Sequence, residues 1–277
     1  ETNTAFGDVN LVDPEAVATA QVLWPLLQEL GVPLDAGTAT CLLTALLTDT
    51  RGLRTPNVTP EVLHLVSQWM QVGGDYFDLI QLSPSELFVV VGDVSGKGLS
   101  ASLYMTKIQT MIKINCTQNK SPKEILVDIN RRIYEELDKS WFVTITLALF
   151  DLKNNTLKFC RAGHMPVVMA SNGTVQAYRT QGLGVGIEKG IVFEKSLIEE
   201  EVKLSPGQIY AFFTDGVTEA MNERNELFGD DKLNAILKNK STTRSAEIVN
   251  EIWHSVKSFR GEAEINDDMT MVVVKIN

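Results

Sequence analysis

Four aspartates, Asp75, Asp93, Asp215 and Asp267, share one local setting: each stands at the edge of a strand-like apolar run, beside glycine or another turn-favouring residue. Asp93 ends Phe88-Val89-Val90-Val91-Gly92, Asp215 ends Tyr210-Ala211-Phe212-Phe213-Thr214, and Asp267 opens the last such run. Strand ends are where a rigid scaffold aims short side chains at one point. Carboxylates gathered without cations repel one another and hold their protons to higher pH. Hard divalent cations with oxygen ligands, Mg²⁺ or Mn²⁺, relieve that repulsion. One Asp-Gly pair makes a turn and nothing more; the same setting four times points to a metal-assisted site. Asp78 and Asp268, sequence neighbours of these residues, are candidates for supporting them or for the surface. The three cysteines (Cys41, Cys116, Cys160) have neither ligand spacing nor a disulfide framework, and read as small buried residues in a reducing compartment. His64 and His254 fall in helical stretches and read as surface or packing residues.

The elements that must position these aspartates follow from periodicity. Val9–Val12 is a short apolar stretch ending at Asp13-Pro14, and Glu15–Leu30 then carries helical spacing, with Pro25 inside it and Gly31 as its stop. A second helix is expected over Thr38–Leu47, and a third from Pro60 to Met70, capped by Thr59. The texture changes after Gln71. An aromatic strand-like run follows Gly73-Gly74-Asp75, and Leu87–Gly92 suits a buried strand. Helices are expected over Leu99–Cys116 and Pro122–Leu137, the latter capped by Ser121. Strands are expected at Phe142–Phe150, Leu157–Ala162, Pro166–Ala170 and Val175–Tyr178, with hairpin turns at Asn154-Asn155 and Asn172-Gly173. Further strands are read over Ile191–Leu204 and Gln208–Thr214, helices over Asp230–Leu237 and Ser245–Phe259, and a closing strand over Met269–Ile276. Antiparallel strands with helices in pairs imply an α+β fold, an antiparallel β-sandwich with helices outside, preceded by a mostly helical segment.

The 277 residues carry a net charge of −10, which weighs against nonspecific nucleic-acid binding. No apolar run approaches the roughly 20 residues that cross a membrane, and the start lacks a basic stretch followed by an apolar one. A soluble, cytoplasmic chain is expected.

Val72-Gly73-Gly74-Asp75-Tyr76-Phe77-Asp78 and Gly92-Asp93-Val94-Ser95-Gly96-Lys97-Gly98 resemble the opening motifs of the metal-dependent protein phosphatases of the bacterial SpoIIE/RsbU type, relatives of the type 2C serine/threonine phosphatases. Ala162-Gly163-His164-Met165-Pro166, Gly182-Leu183-Gly184-Val185-Gly186, Thr214-Asp215-Gly216-Val217-Thr218-Glu219 and Asp267-Asp268-Met269-Thr270 follow in that family's order. The resemblance covers residues 72–277. It implies that Asp75, Asp93, Asp215 and Asp267 hold two Mn²⁺ or Mg²⁺ ions, with Asp93 between them and the Val94 carbonyl as a further ligand. It implies a water activated by the ion pair as nucleophile, Lys97 as a candidate for substrate phosphate, and a phosphoserine or phosphothreonine of an anti-anti-sigma-type regulatory protein as substrate. His164 reads as structural. Where eukaryotic relatives have a histidine just after the bridging aspartate, this chain has Ser95, so the general acid stays open.

Residues 1–71 resemble a middle stretch of the DHH phosphoesterases, through Asn3-Thr4-Ala5-Phe6-Gly7-Asp8-Val9-Asn10, Asp13-Pro14-Glu15-Ala16 and Leu46-Leu47-Thr48-Asp49-Thr50-Arg51-Gly52. Asp49 matches one metal ligand of that family, and the Asp-His-His element is absent. A lone carboxylate cannot hold a dinuclear site, which disfavours phosphodiesterase action on short oligonucleotides. The segment could instead dimerise the chain or regulate it. The resemblance also implies a strand leading into Gly73, where this chain has a helix; an unreplaced strand would leave a sheet edge open. The alternative to an active phosphatase is therefore a phosphatase-fold module with an impaired site that binds without catalysis.

Overall fold

The computed structural model describes residues 13, 16–32, 34, 36–51, 55–56, 58–70, 75–96, 99–137, 141–238, 240–265 and 267–277. The expected strand Val9–Val12 and Lys97 lie outside these residues. The chain divides into two compact units, residues 1–73 with 97–103, and residues 74–96 with 104–277.

In the first unit, apolar residues three and four apart make three amphipathic helices, α1 (Thr19–Glu29), α2 (Ala36–Asp49) and α3 (Pro60–Met70). Ala20 and Trp24 of α1, Ala39, Leu42, Leu43 and Leu46 of α2, and Val62 and Val66 of α3 form one core. Thr59 caps α3 by accepting a hydrogen bond from the Val62 N–H at 3.4 Å, next to Pro60 at the first helical position. Asp49 lies exposed in the last turn of α2. Cys41 is exposed on the same helix, contrary to the expectation that it is buried, because the apolar stripe of α2 runs through Ala39, Leu42, Leu43 and Leu46 and leaves it on the far side.

The second unit pairs β1 (Asp75–Ser83), β2 (Glu86–Val94), β3 (Val143–Asp151), β4 (Thr156–Ala162) and β7 (Glu199–Lys203) into an antiparallel sheet in that order. A second antiparallel sheet has the order β6 (Thr174–Tyr178), β5 (Val167–Ser171), β8 (Ile209–Phe213) and β9 (Met271–Lys275). Both hairpin turns expected from the sequence carry left-handed backbone, at Asn155 (φ 52°) and at Asn172-Gly173 (φ 48° and 76°), where asparagine and glycine are tolerated. Alternate residues of the two sheets face each other in a shared core of Val89, Val91, Ala148, Phe150, Leu157, Phe159, Tyr210, Phe212 and Val272. Edge-to-face rings lock the layers: Phe159 on Tyr178 at 5.3 Å, and Phe150 on Tyr210 at 5.7 Å and on Phe212 at 6.2 Å.

Helices cover the outer faces. α5 (Pro122–Ile133) packs on β3 and β4 through Ile125, Leu126, Ile129 and Ile133, and a capping box between Ser121 and Glu124 starts it. It stops at Ile133, and Tyr134–Glu136 are turns rather than the continued helix expected to Leu137. α8 (Gly229–Leu237) and α9 (Ser245–Arg260) bury Leu233, Leu237, Ile248, Ile252 and Val256 against the second sheet. A long helix, α4 (Leu99–Cys116), buries Ile108, Ile112 and Cys116, four apart on one face. The expected strand over Ile191–Leu204 is instead a helix, α6 (Gly190–Ser196), followed by the short β7. Gly190 takes φ +57° to turn the chain, Phe193 is buried, and Ile191 and Val192 point to solvent. No described helix is long and apolar enough to cross a membrane.

Candidate active site

Asp75 and Asp93 are directly opposed in the β1–β2 ladder. Opposed residues project on the same face, and for this pair it is the inner one, shared with Val89 and Val91. Asp215 begins the four-residue helix α7 (Asp215–Thr218) directly after β8, and Asp267 lies four residues before β9, so neighbouring strands of the second sheet carry both. Two carboxylates from each sheet thus collect at one end of the sandwich.

Burial and mutual repulsion dominate the electrostatics. Burial pushes Asp75 up to about 7, with Asp268 and Asp267 adding to the rise and hydrogen bonds from Thr214 and Thr270 opposing it. Burial likewise pushes Asp93 up to about 8, reinforced by the charges of Asp75, Asp215, Asp267 and Asp268. The field at Asp93 therefore registers every aspartate singled out from the sequence as a ligand, together with Asp268. Even so, no group of three or more His, Cys, Asp or Glu side chains among the described residues has the spacing of a closed ligand set.

Two features missed by sequence reasoning bring the aspartates together. The Thr214 hydroxyl donates to Asp75 Oδ2 at 2.7 Å and accepts from the Thr270 N–H at 2.9 Å. The Thr214 N–H in turn donates to the Thr270 carbonyl at 3.1 Å. One fully buried threonine thereby ties β1 to the ends of β8 and β9. Gly216 does the rest: a Cβ there would stand 1.8 Å from the Asp268 carbonyl oxygen, so only glycine lets the Asp215 and Asp267-Asp268 segments pass this closely. Thr214 and Gly216 lie in one motif already noted, Thr-Asp-Gly, and Thr270 in another, Asp-Asp-Met-Thr, but a hydroxyl bridge between strands distant in sequence has no local signal.

The remaining candidates sort by their partners. Val94 is buried at the end of β2. Because the Ser95 N–H bonds the Phe142 carbonyl just before β3, strand alternation turns the Val94 carbonyl toward the β1 side of β2. Asp78 is on the opposite face of β1 from Asp75 and belongs to a different network, accepting from the Tyr76 hydroxyl at 3.0 Å and pairing with Lys113 at 3.0 Å. Ser95 accepts from the Phe142 N–H at 2.8 Å and clamps the start of β3. His164 is buried, and desolvation with the nearby Arg161 charge pushes it down to about 3, so it stays neutral. Its Nδ1 lies 2.9 Å from the Thr144 hydroxyl, which reaches the Asp93 carbonyl at 3.4 Å, and Arg161 binds the His164 carbonyl. These bonds make His164 a prop for the strand carrying Asp93. His254 is exposed on α9, and the His64 side chain lies outside the described residues.

An all-carboxylate donor set, two of whose members are held protonated near neutral pH by burial and by neighbouring carboxylate charge, fits a hard divalent cation better than a soft one.

A family model described as Stage II sporulation protein E (SpoIIE) matches residues 83–277. That span includes Asp93, Asp215 and Asp267 and begins after Asp75. The phosphoserine phosphatase RsbU of Bacillus subtilis is 26% identical over 207 residues, 74% of this chain and 60% of that protein. The bifunctional oligoribonuclease and PAP phosphatase NrnA of Thermus thermophilus is 40% identical over 96 residues, 34% of this chain and 30% of that protein. The chain thus spans less than two thirds of either curated relative. Among solved structures, the SiaA-PP2C domain of Pseudomonas aeruginosa superposes with a TM-score of 0.68 at 19% identity, covering 91% of this chain and 99% of that one, a likeness of fold. With most of its length matched by the family model, the chain belongs to the SpoIIE family.

Proposed function

We propose that the chain hydrolyses phosphoserine or phosphothreonine on a regulatory partner protein of the anti-anti-sigma type, in the cytoplasm, with residues 72–277 as the phosphatase domain and residues 1–71 as a helical attachment. The observation carrying this reading is the gathering of Asp75, Asp93, Asp215 and Asp267 from two sheets at one end of the sandwich, with Asp75 raised to about 7 and Asp93 to about 8. In this reading the four aspartates hold two Mn²⁺ or Mg²⁺ ions, with the Val94 carbonyl as a further ligand and Lys97 a candidate contact for the substrate phosphate. The ions, when bound, supply Lewis-acid activation of water and neutralise phosphoryl charge. The chain's own residues do the positioning. Thr214 fixes Asp75, the β1–β2 register sets Asp93 beside it, and Gly216 holds the Asp215 and Asp267 segments together. With His164 neutral and buried, no histidine described here serves as general acid. The test is Mn²⁺-dependent hydrolysis of p-nitrophenyl phosphate. The expected result is activity in the parent and its loss in Asp93→Asn and Asp215→Asn, with circular dichroism unchanged. Variants as active as the parent would overturn the residue assignment.

A second reading is a phosphatase-fold module that binds partners without catalysis. It predicts a folded chain that takes up no Mn²⁺ in calorimetric titration. The likeness to NrnA supports no phosphodiesterase reading, because Asp49 is an exposed residue at a helix end.

A further inference from the structure

The two sheets differ by one strand, and the odd one overhangs. Ring contacts join β4 to β6 and β3 to β8, which puts β9 at the edge of the second sheet on the β1 side. Phe77 and Leu79 of β1 are opposed to Val91 and Val89 and face inward with them. Yet Phe77 is 50% and Leu79 51% exposed, while Val89 and Val91 are fully buried. Among the described residues β9 pairs with β8 alone. The Ile276 N–H bonds the Gln208 carbonyl and the Thr214 N–H bonds the Thr270 carbonyl. By alternation, residues 270, 272, 274 and 276 turn their backbone groups to β8, and Met271, Val273 and Lys275 turn theirs outward. The result, among the described residues, is a slot with an unpaired hydrogen-bonding edge as its wall and two half-exposed apolar side chains, Phe77 and Leu79, as its floor.

What fits is a lone extended segment with apolar residues on alternate positions, added to the sheet edge. The start of β9 follows Asp267 and Asp268, so the slot ends at the carboxylates. We propose that this slot docks an extended segment of the phosphoprotein substrate, an inference that rests on the phosphatase reading above. The added strand runs antiparallel to β9, the more stable pairing. It therefore enters along Lys275 and leaves past Met271, which puts the phosphoserine on the C-terminal side of the docking segment.

The test uses the full chain and three peptides built on alternating threonine and valine: one with phosphoserine at its C-terminal end, one with it at its N-terminal end, and one fluorescent and unphosphorylated. Val273→Pro removes an outward N–H that β8 does not use, and Leu79→Lys charges the floor. The expected results are saturable anisotropy with the unphosphorylated peptide, weakened at least about tenfold in both variants. kcat/KM should be about tenfold higher for the C-terminal phosphopeptide, an advantage both variants lose while hydrolysing p-nitrophenyl phosphate normally. Unchanged peptide binding in both variants, no binding by the parent, or equal turnover of the two phosphopeptides would overturn the docking. If the parent fails on p-nitrophenyl phosphate as well, the phosphatase reading falls while the binding measurement still decides the slot. Should Val273→Pro fail to fold, Leu79→Lys carries the same comparison.

Discussion

Thr214→Val is the sharpest perturbation of the site, since it changes a hydroxyl to a methyl at nearly constant shape. Thr214 is fully buried, and its Oγ1 donates to Asp75 at 2.7 Å while accepting from the Thr270 N–H at 2.9 Å. The substitution deletes a charge-assisted bond and orphans a buried N–H, each worth about 1–3 kcal/mol, so a loss of ~3–5 kcal/mol is expected where Asp75 is ionised. Asp75 is raised to about 7 in the folded chain. At pH 9 it is charged and the full loss applies; at pH 5.5 it is protonated, the bond to it is a weaker neutral one, and the loss falls to ~2–3 kcal/mol. Urea unfolding in EDTA, followed by circular dichroism at both pH values, measures the difference. Thr214→Ser keeps the hydroxyl and should recover most of the stability. A loss under about 1 kcal/mol at both pH values, or a serine variant no better than valine, would refute the bridging role.

Three further outcomes follow from the same geometry. Asp75 and Asp93 keep their protons to about 7 and about 8 when folded, far above the ordinary 3.8 that they regain on unfolding. Between about pH 4 and 8 the metal-free native state thus binds more protons than the unfolded one, and stability falls as pH rises; a metal-free melting temperature that climbs from pH 5 to 8 contradicts this. Gly216→Ala puts a Cβ 1.8 Å from the Asp268 carbonyl and should cost ~2–4 kcal/mol by the overpacking rule, with Mn²⁺ affinity reduced in titration; a fully stable variant with parental affinity would show that the two segments need no such approach. His164 is pushed down to about 3, so His164→Gln should lower the melting temperature without moving the pH dependence of turnover between pH 5 and 8, and a limb of the profile that disappears in the variant would restore a proton-transfer role.

The aspartates were legible because each stands at the edge of a strand-like run, a pattern local in sequence. The sandwich and its hairpins were legible for the same reason, through alternating apolar residues and the Asn155 and Asn172 turns. Ile191–Leu204 was misread because Ile191-Val192-Phe193 suits either state. Gly190 turns it into a helix, and β7, with the poor strand sequence Glu199-Glu200-Glu201, exists only because β4 pairs with it. The roles of Thr214, Thr270 and Gly216 gave no local signal, since they appear only when the ends of β8 and β9 meet the start of β1. The slot was equally hidden. The sequence raised an open edge because a helix stands where the family resemblance implies a strand, but which edge, and which side chains it uncovers, depend on how the sheets align.

Calorimetric titration of the metal-free chain with Mn²⁺ bears most directly on the four aspartates. Two ions per chain are expected, with binding sharply reduced in Asp93→Asn, whose carboxylate is flanked by the other three. A folded parent chain that takes up no Mn²⁺, or an Asp93→Asn variant that binds two ions as tightly as the parent, would contradict the assignment.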